Sequence, residues 1–335
     1  ADDGINFEDL SNTLSIAQIY TVSTSRPDSS KLASGLQDCG GFALSGSNWN
    51  SYHGGDGMGT AVDPFEENTF YGMTQYGGNL YRTATGGDGG WSSREFIASG
   101  PVKGEWVTPL EFAKSGDLYA GFDQLYVLNG GLWKQLSNHD FGHNLRLLKI
   151  DPINNNIIYV STEYNVYKSS DGGITFTSIL ETDYYVRDIE VHKTNNNQVW
   201  VLSSGTVYTS TDQGQSFISE TTGLEWARTI SHQQYSPDDS LYLGTILGVY
   251  YTDNEVSGWH SISSSLPNVK VSDMEINPND NILTVSTYGR GIWQTPIPVV
   301  TRPSYDLDLI RINSGLGSDF RCENDFQLSF DVYNN

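Results

Sequence analysis

Basic residues are scarce in this chain. Its 335 residues include 18 Lys and Arg against 40 Asp and Glu, for a net charge of −22. A nucleic-acid backbone attracts the opposite sign, so nucleic acid is excluded as a partner. An acidic surface of this kind serves solubility, with calcium or a cationic partner as the other reading. Long apolar runs are missing too. Nothing approaches the ~18–20 apolar residues of a membrane-spanning helix, which excludes membrane insertion by that route. Cysteine is nearly absent: Cys39 and Cys322 stand far apart with nothing in the sequence to pair them, so no disulfide framework is implied. No glycine loop opens a helix to cradle a phosphate, and no Ser-His-Asp spacing stands out.

What the chain does have is turns and strand formers. It holds 35 Gly, and 12% of its residues are aromatic, which suits an all-β fold of short strands and tight turns. The organising stretch is Ser169-Ser170-Asp171-Gly172-Gly173-Ile174-Thr175-Phe176. Strand residues enter a turn where the Asp carboxylate can fold onto backbone N–H groups and glycine takes a positive φ. An aromatic then opens the return strand. The pattern returns as Ser210-Thr211-Asp212-Gln213-Gly214-Gln215-Ser216-Phe217, 41 residues on. Another 41 reaches Asp253 in a degraded copy, and Asp2 begins a copy that lacks its opening serine. A period near forty with strand-turn-strand content signals a repeat architecture, most often propeller blades.

Aligning one aromatic per repeat gives Phe42, Tyr81, Tyr126, Tyr167, Tyr208, Tyr250 and Trp293, hence seven repeats. Each is preceded by a turn rich in Asn, Asp, Pro or Gly, from Arg26-Pro27-Asp28 in the first to Asn277-Pro278-Asn279 in the last. A blade then reads as strand A, turn, strand B, short loop, strand C, Asp turn, strand D. The seventh stops after Trp293 without a fourth strand. Asp2–Leu10 is expected to pair with the strand around Ile292–Thr295 and close the ring, leaving no open edge. Residues 1–298 are therefore assigned to a seven-bladed propeller. Residues 299–335 are assigned to a linker and the first strands of an immunoglobulin-like β-sandwich, from the alternating patterns at 306–312 and 326–332.

The Ser-x-Asp-x-Gly-x-Thr-Phe stretches resemble the Asp box of bacterial neuraminidase repeats, found in sialidases, sortilin-type receptors and the xyloglucanase family. The resemblance implies that Asp2, Asp171, Asp212 and Asp253 are structural, on the outer rim of their blades. The overall match is to secreted, multi-domain bacterial surface proteins with Gly-Leu-Gln-Asp and Gly-Gly-Asp-Gly loops. It implies a secreted or cell-surface location within a longer chain.

In such a blade the B–C and D–A loops share one end, where ligands bind. Two of these loops, around Asp38 and Asp56, set a carboxylate among glycines. Each Asp is read as a turn cap, as half of an acid–base pair, or as a calcium ligand. Leu36-Gln37-Asp38-Cys39-Gly40-Gly41-Phe42 also resembles the segment that carries the general acid in the second propeller of xyloglucanase-family enzymes. That implies a glycoside hydrolase with Asp38 as acid. Gln37 departs from the pattern, and the family's base comes from an upstream propeller. The other loops of this end carry Gln75, Tyr76, Asp123, Glu163, Tyr164, Tyr184, Trp226, Tyr288 and Arg290. Aromatics with carboxylates and amides suit sugar rings, so a glycan or a cell-surface protein is the expected ligand. A scaffold without ligand is the third reading. The loop His139-Asp140-Phe141-Gly142-His143 is read as solvated rather than as a metal site, and no cofactor is called for beyond the calcium reading. A sialidase is excluded on arginine placement, since Arg26 falls on an A–B turn at the opposite end.

Overall fold

The computed structural model describes residues 16–263 and 266–298, and the strands Leu307–Asn313 and Ser329–Asn334. Six antiparallel four-stranded sheets and one of three strands follow one another in chain order, each a simple meander. All seven expected A–B turns fall between the first two strands of a sheet, and all seven aligned aromatics lie on the third. Among the described residues the last sheet, Val271–Asn277, Ile282–Thr287 and Ile292–Pro296, has three strands. The expected pairing of Asp2–Leu10 lies outside the described residues. The strands at 307–313 and 329–334 form an antiparallel pair, and the immunoglobulin-like reading goes no further than that pair.

Apolar clusters join neighbouring blades. One packs Ile157, Tyr159 and Val166 of blade 4 against Val186, Ile189 and Val201 of blade 5. Others join blades 1 and 2, 2 and 3, 3 and 4, 5 and 6, and 6 and 7. Blades 2 to 6 thus each bury both faces in apolar clusters, and burial of this kind drives the stacking at roughly 25 cal/mol per Å².

The seam between blades 7 and 1 is built differently. Among the described residues it is a ladder of side-chain hydrogen bonds. Val22 N–H donates to Asp273 Oδ2 at 3.0 Å, Thr24 N–H to Glu275 Oε2 at 2.5 Å, and Ser29 N–H to Asp280 Oδ2 at 3.0 Å. Asn277 Nδ2 reaches Ser25 O at 2.8 Å, and Gln294 Nε2 reaches Ser29 O at 2.8 Å. At the loop end, Gln18 bridges Tyr288, and Gly289 N–H donates to Ala17 O. These bonds satisfy the inner edge of the first strand and bring the two ends of the propeller together.

The Asp turns sit between the third and fourth strands. Asp171 Oδ1 accepts from Ser169 Oγ, Ile174 N–H and Thr175 N–H at 2.8–3.1 Å, while Oδ2 accepts from Thr175 Oγ1 at 2.6 Å. Asp212 repeats the set with Ser210 and Ser216. In the degraded copy Asp253 keeps two backbone donors, Glu255 and Val256, and Tyr251 Oη replaces the serine. Gln213 stands where the first box has Gly172 and holds the same left-handed backbone, φ 60° against 76°.

Candidate functional site

The inner strands of all seven blades line one central channel of about 760 Å³. At its loop end the mouth is walled by Tyr20, Trp106 and Tyr288. The Tyr20 and Tyr288 hydroxyls both donate to Gln37 Oε1, the first at 2.9 Å. Tyr20 sits edge-on to Trp106 at 6.4 Å between centroids, and Trp106 sits edge-on to Tyr76 at 5.0 Å.

Cations complete the mouth. Arg146, Arg187 and Arg228 each occupy the start of the inner strand in blades 4, 5 and 6, at steps of 41 and 41 residues, and Lys270 follows in blade 7. A bulge at the start of Val186–Val191 re-aims Arg187, and one at the start of Ile19–Ser25 does the same for Tyr20. Arg146 and Arg187 both lie over the Tyr185 ring, 5.3 Å from its centre, and Lys270 lies 4.2 Å from the centre of Tyr288. Tyr164 stacks on Tyr185 at 5.0 Å.

Carboxylates occupy the channel wall below. Each caps the exposed inner edge of the next blade: Glu111 accepts from Ile150 N–H, Asp188 from Ile230 N–H, and Glu190 from His232 N–H. Asp273 and Glu275 do the same across the seam. Burial pushes Glu111, Asp273 and Glu275 up to about 7, against the opposing pull of Lys149 and these N–H donors. All three line the channel and are half-buried. Glu190 goes the other way. Burial pushes it up, but Lys193 and Lys149, at 2.8 and 3.3 Å, outweigh that and hold it at about 2.

The two glycine-flanked aspartates meet outside this mouth, through the backbone of one and the carboxylate of the other. Asp56 Oδ1 accepts the Asp38 N–H at 2.7 Å, and Gln75 Oε1 accepts the Asp56 N–H at 3.1 Å. Asp38, Asp56 and Gln75 thus tie three loops together, with Asp38 itself exposed. Asp38, Tyr76 and Trp226 carry positive φ of 59°, 60° and 63°, a conformation that costs a side-chain-bearing residue roughly 1–2 kcal/mol. Tyr184 and Trp226 are solvent-exposed. Asp123 accepts the Tyr126 hydroxyl at 3.1 Å, Glu163 accepts the Val186 N–H through its backbone carbonyl, and exposed Arg290 accepts the Trp293 indole N–H through its own. Of the sequence candidates, Tyr288 lines the channel itself, and Tyr76 and Tyr164 stand beside the mouth against Trp106 and Tyr185. Tyr20, Trp106 and the four cations were missed. The exclusion based on Arg26 overlooked Arg146, Arg187 and Arg228, although their 41-residue spacing repeats that of the Asp turns. Cys39 is a free, exposed thiol, and Cys322 lies outside the described residues.

His139 packs against Phe141 and Tyr167, and Asp140 accepts the Gly142 N–H, so that loop gathers no ligand set. Among the described residues, His192, His232 and Asp239 bring possible metal-ligating atoms within 4.8 Å of one another at the opposite end. His192 Nδ1 accepts from Thr194 and Asn195 N–H at 3.1 and 3.0 Å, as Asp151 Oδ1 does from Ile153 and Asn154. The ring proton therefore sits on Nε2 and points to Asp239 at 3.1 Å. That leaves no lone pair for a metal, and His192 is a turn cap.

Residues 164–294 match the family model described as Sortilin, neurotensin receptor 3, a match over less than half of the chain. No curated protein matches. The WD40 β-propeller domain of Doa1 is similar in structure, with a TM-score of 0.64 at 12% identity over 84% of this chain and 95% of that one. The chain is a seven-bladed β-propeller. That likeness is one of fold alone. Within the propeller, the aromatic loops and the cations share one end of the channel.

Proposed function

We propose that this propeller is a binding module of a secreted or cell-surface protein, taking a glycan or protein ligand on the face formed by its B–C and D–A loops. The observation that carries the reading is the set of aromatics held on this face at a conformational cost. Tyr76 and Trp226 sit on left-handed backbone, and Trp106, Tyr164, Tyr184 and Tyr185 are each more than a third exposed. Strain held by surrounding structure and flat apolar rings left in water both fit a surface that stacks on a ligand. The matched family model is described as a receptor, which agrees with this reading.

Hydrolysis through Asp38 is the lesser reading, because the second carboxylate, Asp56, already holds the Asp38 N–H. A glycan and secreted-protein array probed with the labelled protein tests the proposal. Binding that falls at least tenfold in Tyr76→Ala or Trp226→Ala is expected. β-Glucan or xyloglucan hydrolysis that disappears in Asp38→Asn would replace binding by catalysis.

A further inference from the structure

The cations at the channel mouth are unusual for this chain. Acids outnumber bases 40 to 18, and several bases pair with them: Lys31 meets Glu67, Arg82 meets Glu95, and Lys149 and Lys193 share Glu190, while others, such as Arg94 over Trp91 and Lys103 over Tyr76, stand singly on aromatic rings. Among the described residues Arg187, Arg228 and Lys270 have no carboxylate partner, and Arg146 has only Glu105 at 3.7 Å. They also crowd one another. Burial and then the nearby Arg228 and Arg146 charges lower Arg187, while burial and then Arg228 and Arg187 lower Lys270. Arg228 Nε is buried with no acceptor in reach. Like charges gathered without counter-ions destabilise the fold, and an unmade buried donor adds to that. Both costs are relieved if an anion occupies the mouth.

We propose that this collar binds the acidic groups of an anionic polysaccharide. Arg146, Arg187, Arg228 and Lys270 take its carboxylate or sulfate groups, and the aromatics beside them take its sugar rings. The inference rests on the binding reading above and names its ligand class. Guanidinium forks suit two-oxygen acceptors. The rings set a sugar apart from an acidic peptide: Tyr164, Tyr185 and Trp106 stand at the collar, each 37% exposed. The depth of the site is fixed as well. Asp188, Asp273 and Glu275 line the channel below, where Lys149 and Lys193 are already paired with Glu190, so the cations without acids stand at the mouth and the polysaccharide lies across it rather than through the channel.

Titration calorimetry with oligogalacturonate, dextran sulfate, neutral cellohexaose and poly-glutamate tests this over a range of sodium chloride. One of the two acidic glycans is expected to bind at least tenfold more tightly than cellohexaose and to weaken steeply with salt. Which of the two wins distinguishes carboxylate from sulfate. Arg187→Gln and Arg228→Gln should each weaken binding about tenfold, one charged contact's worth, without lowering the melting temperature. Lys270→Gln supplies an independent variant should either arginine change unfold the chain, and Lys270→Arg should keep affinity. Salt-insensitive binding, unchanged affinity in these variants, or failure of both acidic glycans to bind would overturn the inference. So would tighter binding of poly-glutamate. A neutral glycan or protein ligand that still depends on Tyr76 and Trp226 would leave the binding module standing without its anionic ligand.

Discussion

The rim and the axis of this propeller use the same side chains to opposite ends. At the rim, Asp171 and Asp212 stand in water and accept hydroxyl and backbone hydrogen bonds. Thr175 and Ser216 lead those donors, and both carboxyls are held at about 2. At the axis, Asp273 and Glu275 also accept backbone N–H groups, yet burial prevails and both rise to about 7. The count of hydrogen bonds does not decide the sign. What decides it is whether water or protein surrounds the carboxylate and, where protein does, whether lysines stand against it as Lys193 and Lys149 do at Glu190. The rim turns are local and repeat with the sequence, whereas the axial carboxylates act between blades and, at the seam, between the two ends of the propeller.

The largest effect expected from this contrast is at the seam. Glu275→Ala leaves the Thr24 N–H without its acceptor and should destabilise by about 1–3 kcal/mol in chemical denaturation. Glu275→Gln keeps an acceptor and removes a buried charge, so it should be neutral or stabilising above pH 7. A loss as large in Glu275→Gln as in Glu275→Ala would mean that the charge itself holds the seam.

The pH profile follows with its sign. Glu111, Asp273 and Glu275 bind protons more tightly folded than unfolded, so their contribution is full below about pH 4 and is lost as pH rises through 7. Asp171, Asp212 and Glu190 contribute above about pH 4 and lose that contribution as pH falls toward 2. Burial lowers His53 to about 4 and His232 to about 3, which removes stability as pH falls below about 6.5. Between about pH 4 and 6.5 the three raised carboxylates lose more than the two histidines regain, so melting temperature should peak near about pH 4 and decline until pH passes about 7. A plateau from pH 5 to 8 that is identical in Glu275→Gln would deny the axial carboxylates their raised proton affinity.

Smaller effects belong to the rim. Asp171→Ala should lower the melting temperature by roughly 2–4 °C, and Asp212→Ala should act in the same direction. Gln213→Gly relaxes a left-handed residue and gives up two long side-chain bonds, Lys168 Nζ to Oε1 and Nε2 to Asn196 Oδ1, both at 3.3 Å, while Lys168 Nζ keeps the Gln213 backbone carbonyl at 2.9 Å. A rise of roughly 1–2 °C is expected, and a fall would show that the Gln213 side chain matters more than its backbone.

The same contrast explains what the sequence made legible. Seven repeats and their A–B turns are readable because each signal is contained within a few neighbouring residues. The collar is not contained in that way. Arg146, Arg187 and Arg228 repeat at the same 41-residue step, but each alone is an ordinary strand residue. Only closure of the ring turns them toward a common axis. Tyr20 and Trp106 carry no periodic signal, and the bulges that re-aim Tyr20 and Arg187 depend on the partner strand. Asp38 and Asp56 were readable as neighbours, because their glycine-rich loops are adjacent at one end of the first blade. That Asp56 would bond the Asp38 backbone follows from the folded geometry of those loops.

Rim and axis are separated most directly by measuring acidic-glycan affinity and melting temperature on the same two variants, Asp171→Asn and the double change Arg187→Gln with Arg228→Gln. The rim variant should lose stability and keep full affinity. The axial variant should lose affinity by at least tenfold and keep or gain stability. Affinity lost at the rim, or retained at the axis after both arginines are neutralised, would contradict the assignment of binding to the channel mouth.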